Sequence, residues 1–460
     1  MRWADEQRQR TCCARTYMSA ALALLALCAG SARADGMMDA WAQFTLAPKV
    51  WKGQTVPAAG PSPRPAAPMV AAPSLRWPAY VQLPVGCSQR RAAAALRGLD
   101  DAYDTLGSMG WPLPTGDGGY GSTAGFDVYL LDDACDACAA VDSELPWSDF
   151  DAAQTYALLN AALPVDELAA CTLSAVAQAG LRAVDPSEAE TWVRASGDFV
   201  AWIGTGQPGC AQSMVAAQRD PALGLLSDDP RSAGAGALFL AMQSERSAGP
   251  DAQGFVRALW ETTRQRSHGL VSSDRLRGSP DLWEALAETL RARHVDWHDE
   301  LVEFAVARYF AGTQARRTHA SYRVLRTLPE SAAVPLLDDV SREALPRRVR
   351  SQIELPTLGS QYMRIQTHDA AGQELRVWLK GELGPMWSLS AVRLAADGGE
   401  LGRTTAPPRR VPNAYLPVTL DPETESVLLV IMNLEEATPD ADRPGPVPHA
   451  YELMVALADP

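Results

Sequence analysis

Apolar residues along the chain follow two regimes. Helical spacing predominates up to about Leu345, and from there to the C-terminus the alternation is that of strands. The longest helical signal runs over residues 165–205 and reads as two helices joined by Asp185-Pro186-Ser187. Leu168, Cys171, Thr172, Ala175 and Ala179 share a face of the first; Trp192, Ala195, Phe199 and Trp202 share a face of the second. Asp185 or Ser187 is expected to cap the second helix, with Pro186 fixing the turn. Glu188 and Glu190 suit its positive N-terminal end.

Ahead of this pair, residues 77–83 predict a strand and 88–109 a helix lined by Ala95, Leu99, Ala102 and Leu106. Gly110-Trp111-Pro112-Leu113-Pro114 and Asp117-Gly118-Gly119-Tyr120-Gly121 predict turns, followed by strands over 126–131 and 156–163. The glycines do not make a phosphate loop, because no Gly-Lys-Ser/Thr follows and no helix opens there. After the pair, residues 206–338 read as helical, with helices over 233–246, 251–265, 281–293 and 300–311. Gly234 and Gly236 allow close helix contact, and Glu303 and Arg308 form a candidate pair, five residues apart. Strands are predicted over 347–354, 362–367, 374–380, 388–395, 414–420, 427–432 and 451–457, separated by Gly, Pro and Asp. That density over about 115 residues predicts a β-sandwich. Trp378 and Trp387 invite a carbohydrate-platform reading beside the plain one of core aromatics. The fold class is therefore α+β, with an all-β C-terminal part.

A helix pair of this kind is a common frame for zinc peptidases, with H-E-x-x-H on the first helix and a carboxylate ligand on the second. Here Ser174, Ala175 and Gln178 stand where the first histidine, the general-base glutamate and the second histidine would fall, and Trp192 opens the second helix. With the turns and strand of 110–131, this stretch resembles a family of secreted, gluzincin-like zinc metallopeptidases of myxobacterial type. Their pattern is A-H-E-x-x-H-A-x-Q, a short Asp-containing turn, then W-x-x-E-G-x-A-x-W. The third-ligand glutamate then falls at Ala195, or at Arg194 with a slip of one.

The resemblance implies a metallopeptidase-like α/β subdomain over 75–205, a helical lobe over 206–345 and a jelly-roll-like sandwich over 346–460. It also implies that an edge strand beside the zinc helix takes the substrate backbone. Residues 127–131 and 156–160 are the candidates, each also readable as core sheet. Zinc belongs to the family, but catalytic zinc needs three protein ligands, an open position for water and a base within reach. Ser174 and Gln178, four apart, share a helix face, yet a hydroxyl and an amide are poor zinc ligands. Ala175 has no base to offer. No catalytic residue and no cofactor are expected. The chain reads as an exported, inactive relative that binds or scaffolds, with a protein or surface polysaccharide as partner. The alternatives are an active peptidase with displaced ligands (His294, His298, Glu188, Glu190) and a surface adhesive protein using the sandwich.

His294 and His298, four apart with Asp296, Asp299 and Glu300 nearby, form a rival metal constellation, but they fall in a polar connector between helices. His268, His319, His368 and His449 stand alone, as surface or structural residues.

The N-terminus changes the picture of where the chain works. Arg2, Arg8, Arg10 and Arg15, an apolar run over 19–29 and Ala32-Arg33-Ala34 predict a signal peptide over 1–34. A segment over 35–55 and a Pro/Ala-rich linker over 56–74 follow. The leader carries five arginines against Asp5 and Glu6, so removing it takes the net charge from −14 to about −17. That balance argues against nucleic acid as a partner, and no membrane span is expected after cleavage. Apolar residues at 47% suffice for real cores. Of eight cysteines, three lie in the leader, leaving Cys87, Cys135, Cys138, Cys171 and Cys210. Five choices of free thiol and three connectivities each give fifteen pairings. Cys171 with Cys210 is the first choice, as a staple of the helix pair. Cys135 and Cys138 are expected either in a local disulfide or paired with Cys87; a lone C-x-x-C completes no zinc knuckle.

Overall fold

The computed structural model describes residues 55–57 and 64–459, except 66–67, 117–118, 120–122, 133, 145–151, 228, 248–251, 265–274, 278–279, 313–321, 352–353, 410–412 and 436–447. The predicted leader, the segment after it up to residue 54, much of the linker, His268 and His319 lie outside the described residues. Strand β1 (Thr55–Pro57) pairs antiparallel with β7 (Arg275–Arg277).

A five-stranded sheet opens the body, made of β2 (Met69–Pro73), β3 (Ala79–Pro84), β4 (Phe126–Leu131), β5 (Ala137–Glu144) and β6 (Ala153–Asn160), in the order β2-β3-β4-β6-β5. The three inner strands run parallel, and the edges β2 and β5 run antiparallel to them. Both strands considered as substrate edges are therefore interior: residues 127–131 belong to β4 and 156–160 to β6. The edge beside the helix pair is β5. Helix α1 (Gln89–Met109) starts where Ser88 accepts from the Arg91 amide and stops where Gly110 turns left-handed (φ +65°).

Helix α2 (Leu168–Val184) crosses behind this sheet, almost wholly buried, with Thr155 of β6 donating to the Ala179 carbonyl (3.0 Å). Helix α3 (Glu190–Thr205) returns against it. Neither predicted cap is used. Ala189 occupies the capping position, because Ser187 donates to Asp185 (2.8 Å) and Glu188 turns inward. Helices α4 (Ser213–Arg219), α5 (Ser232–Ser247), α6 (Ala252–Thr263), α7 (Leu282–Ala292), α8 (Trp297–Tyr309) and α9 (Arg323–Thr327) complete the helical part. One buried core runs from Val81 and Leu99 through Phe199, Leu238 and Trp260 to Phe304.

The C-terminal part pairs two sheets. One contains β8 (Asp338–Val340), β10 (Ser360–Gln366), β12 (Trp387–Leu394), β13 (Glu400–Arg409) and β15 (Ser426–Asn433); the other contains β9 (Arg347–Arg350), β11 (Glu374–Gly381), β14 (Asn413–Thr419) and β16 (Tyr451–Ala458). Their inner faces share a core with Leu375, Val377, Leu379, Leu416, Leu453 and Val455. All eight residues of β15 are buried, because it is covered on both sides. Val427, Leu429 and Ile431 enter the sandwich core, whereas Leu428, Val430 and Met432 enter the helical core. The mixed α+β architecture and the β-rich C-terminal part thus agree with the sequence pattern.

Polar contacts fix the same seam. The Tyr362 hydroxyl donates to the Ala305 carbonyl (2.6 Å), and Glu303 pairs with Arg403 (2.6 Å). The candidate Glu303–Arg308 pair, five residues apart on one helix, does not form. Arg308 is buried and donates to the Gln218 side chain (2.6 Å) and the Ala217 carbonyl (2.7 Å) instead. At Gly224 the seam is so close that a Cβ would stand 1.8 Å from the Thr357 carbonyl oxygen, while the Ser360 amide donates to the Pro221 carbonyl (2.9 Å). Gly224→Ala is expected to cost about 3 kcal/mol by forcing two backbones apart, readable as a lower denaturation midpoint.

Candidate functional site

Ser174 and Gln178 lie on successive turns of α2, both buried, with the Gln178 amide donating to the Ser174 hydroxyl (3.1 Å). The pairing predicted from their spacing is present. The residue facing them from α3 is Asp198: Ser174 Oγ donates to its Oδ1 at 2.9 Å. Arg194 and Ala195, the positions expected to oppose α2, do not bond to Ser174 or Gln178, although Arg194 lines the cavity beside them. Arg194 donates to Glu190 (2.7 Å), and Ala195 packs toward α5, where a Cβ added to Gly236 would meet it at 2.8 Å. Asp198 lies one helical turn beyond these two positions, so the spacing W-x-x-E overlooked it.

Asp198 is surrounded by donors. Besides Ser174, the Ser213 hydroxyl donates to Oδ2 and the Cys210 amide to Oδ1 (3.3 Å). Burial raises its pKa, and the bonds from Ser213, Ser174 and Cys210 work against that rise. Gln178 uses a second N–H on the Ala137 carbonyl of β5 (3.3 Å), tying the helix to the edge strand. Helix α3 comes this close because residue 197 is glycine: a Cβ there would stand 2.6 Å from the Gln178 side chain and 2.7 Å from the Ser174 carbonyl. Ala175 is fully buried in the core.

A cavity of about 390 Å³ opens beside this network, lined among others by Gln178, Asp198, Arg194, Cys135, Cys210 and Arg231. Both disulfides border it. Cys171 and Cys210 are bonded with Cα atoms 4.5 Å apart, and Cys135 and Cys138 with Cα atoms 6.1 Å apart, leaving Cys87 as a free thiol.

A zinc ion does not fit these residues. Asp198 is a competent ligand, but Ser174 offers a neutral hydroxyl already donated to it. Gln178 turns its NH2 group, not its oxygen, toward Ser174. Among the described residues no group of three or more His, Cys, Asp or Glu is placed to hold a metal.

The displaced-ligand candidates do not gather into a metal-holding group among the described residues. His294 sits at the turn after α7 with φ +59°. His298 is inside the first turn of α8 rather than in the connector, its Nδ1 3.2 Å from Asp296 Oδ1 and its ring against Trp297. Glu300 accepts from Gln243 and Arg246, both at 2.8 Å. His449 does not stand alone but lies between Glu382 (3.0 Å) and Glu435 (3.2 Å). Glu190 pairs with Arg182 and Arg194; against the opposing effect of burial, these hold its carboxyl below the usual range. Glu188 is buried and accepts from the amides of Leu282 (2.7 Å) and Ala189 (2.9 Å). Burial, then the nearby Asp281 and Asp185, push it well above the usual carboxylate range. Asp281, which caps α7, is pushed up to about 8 by burial and by Glu284 and Asp185.

These two raised carboxyls make stability fall with rising pH. The folded chain holds protons that the unfolded chain releases near pH 4, so their stabilisation is full below that value and is lost as pH rises through about 8. The midpoint of unfolding should drop between about pH 5 and about pH 9, and Glu188→Gln should flatten that slope. An identical slope in the variant would show that Glu188 is not involved.

No protein-family model matches the chain, and no curated protein matches it. Among solved structures, one similar to part of it is the pre-peptidase C-terminal domain of a collagenase from Bacillus anthracis. It is 8% identical, over 27% of this chain and 97% of that one, with a TM-score of 0.16, too slight a likeness to bear on the site. Among the described residues no helix is long and apolar enough to cross a membrane.

Proposed function

We propose that this protein is an exported, gluzincin-like relative of zinc metallopeptidases that binds or scaffolds and does not cleave. The observation that carries the reading is the hydrogen-bonded run from Gln178 to Ser174 to Asp198 at the position where the resemblance puts the metal. Asp198 is taken up by three donors, from Ser174, Ser213 and Cys210, and neither the Ser174 hydroxyl nor the Gln178 amide is a base for activating water. The basic start, apolar run and Ala32-Arg33-Ala34 support export, and two disulfides suit an oxidising compartment. The cavity beside Asp198 and the sandwich are the surfaces left for a protein or glycan partner. Glu188, Glu190 and His298 are committed to structural contacts, which speaks against a peptidase with displaced ligands.

Casein hydrolysis by the purified protein, with and without chelator, tests the reading. No turnover above the buffer rate is expected. Turnover abolished by the chelator would overturn it.

A further inference from the structure

The cross-strand register of the four-stranded sheet places Tyr415, Trp378, Met454 and Arg348 in one row across β14, β11, β16 and β9. The residues flanking Trp378 on β11 (Val377 and Leu379) point into the sandwich core, so the row lies on the opposite, outer face. Tyr415 is 47% exposed and Met454 43%. The rings of Trp378 and Tyr415 lie 5.4 Å apart at 38°, forming one shallow plate. Trp387, in contrast, is buried against Tyr451 and takes no part. The outer face of the other sheet is covered, since Leu428, Val430 and Met432 pack into the helical core. Among the described residues, this face carries the exposed Tyr415 and Met454.

Its charge differs from that of the chain. The neighbouring rows add Lys380 and Arg350 on one side and Arg376 on the other. With Arg348 these are four cations against Glu374 and Glu452, an excess of two positive charges on a chain of net charge −14. Arg348 and Arg350 pair with Glu452, and Arg376 with Glu374 (2.7 Å). Such rim pairs are weak in water and exchange readily for another carboxylate.

We infer that this face is a platform for an anionic polysaccharide, a chain of sugar rings bearing uronate carboxylates. Aromatic faces stack on the C–H faces of sugar rings, and guanidinium groups take carboxylates in a two-bonded fork. Three interstrand spacings make the row roughly 14 Å long, enough for a short run of sugars. An acidic peptide fits less well. Extended peptides dock along sheet edges or in grooves where their backbone is paired, and this row crosses a face whose backbone groups are already bonded to each other. The inference deepens the reading of a binding protein but does not depend on the loss of zinc chemistry, so this test and the casein test fail separately.

Affinity electrophoresis of the full-length protein through gels containing polygalacturonate, dextran or polyglutamate tests it. Retardation is expected in polygalacturonate alone, weakening with added salt. Trp378→Ala/Tyr415→Ala should weaken it by about tenfold. Arg348→Ala/Lys380→Ala, two exposed positions outside any core, should do the same without disturbing the fold. Absence of retardation, retardation unchanged in both variants, or equal retention by polyglutamate would overturn the inference.

Discussion

Replacing Cys171 and Cys210 together by serine is expected to lower stability by about 4 kcal/mol. The bond closes a loop with a sequence separation of 39, joining α2 to the segment just after α3, and most of the effect is the freedom regained by the unfolded chain. The folded state loses as well. Both sulfurs are buried, and the Cys210 amide is one of the donors that hold Asp198. Serine would put two hydroxyls into this buried place, each of which has to find a partner or bear the desolvation cost. Denaturant midpoints of the oxidised proteins give the comparison. The same exchange at Cys135 and Cys138, separated by three residues, should cost only about 1.5 kcal/mol. Equal costs for the two pairs would mean that α2 and the segment after α3 are held together by packing alone.

Asp198→Ala should be comparably damaging, at about 4 kcal/mol, because it strands three donors in a buried place: two serine hydroxyls and a backbone amide. Asp198→Asn keeps the shape and one acceptor oxygen, so it should cost about half as much. The ordering matters more than either value. If alanine and asparagine were equally tolerated, the network would be incidental to the fold. A clearly larger cost for alanine than for asparagine would identify Asp198 as the acceptor that holds α2, α3 and the start of α4 together.

Much of this frame was legible in the sequence, and the misses have physical causes. Helix α1 was read to within a residue because Ser88 and Gly110 carry the capping chemistry, and β4 because Phe126 to Leu131 is continuously apolar but for Asp127. Strand β5 was missed: Ala137-Cys138-Ala139-Ala140 has neither β-branched residues nor alternation, and it is held as an edge by pairing with β6. Strand β13 was missed because Pro407 and Pro408 argue against a strand, yet it is an edge, where a missing N–H is tolerated. The cap of α3 moved because Glu188 serves α7 as well, a contact 94 residues away that no local pattern carries.

The candidate site was legible in part. Helical spacing brings Ser174 and Gln178 together, but the family pattern points to Arg194 or Ala195 on α3, whereas the residue that meets Ser174 is Asp198. The signal that was available is Asp198 itself, an acid among Gly197, Phe199, Val200 and Ala201, where burial obliges it to find donors. The outer aromatic row was half visible: Trp378 stood out, but Tyr415, Met454 and Arg348 become its neighbours only through the register of four strands.

The most direct measurement of the missing chemistry is the zinc content of the protein, purified in the presence of zinc and exchanged into metal-free buffer, beside Ser174→Ala/Gln178→Ala. Neither protein should retain the ion, since a hydroxyl, an amide and one carboxylate make too poor a donor set. One zinc per chain in the native protein, lost in the variant, would contradict that outright.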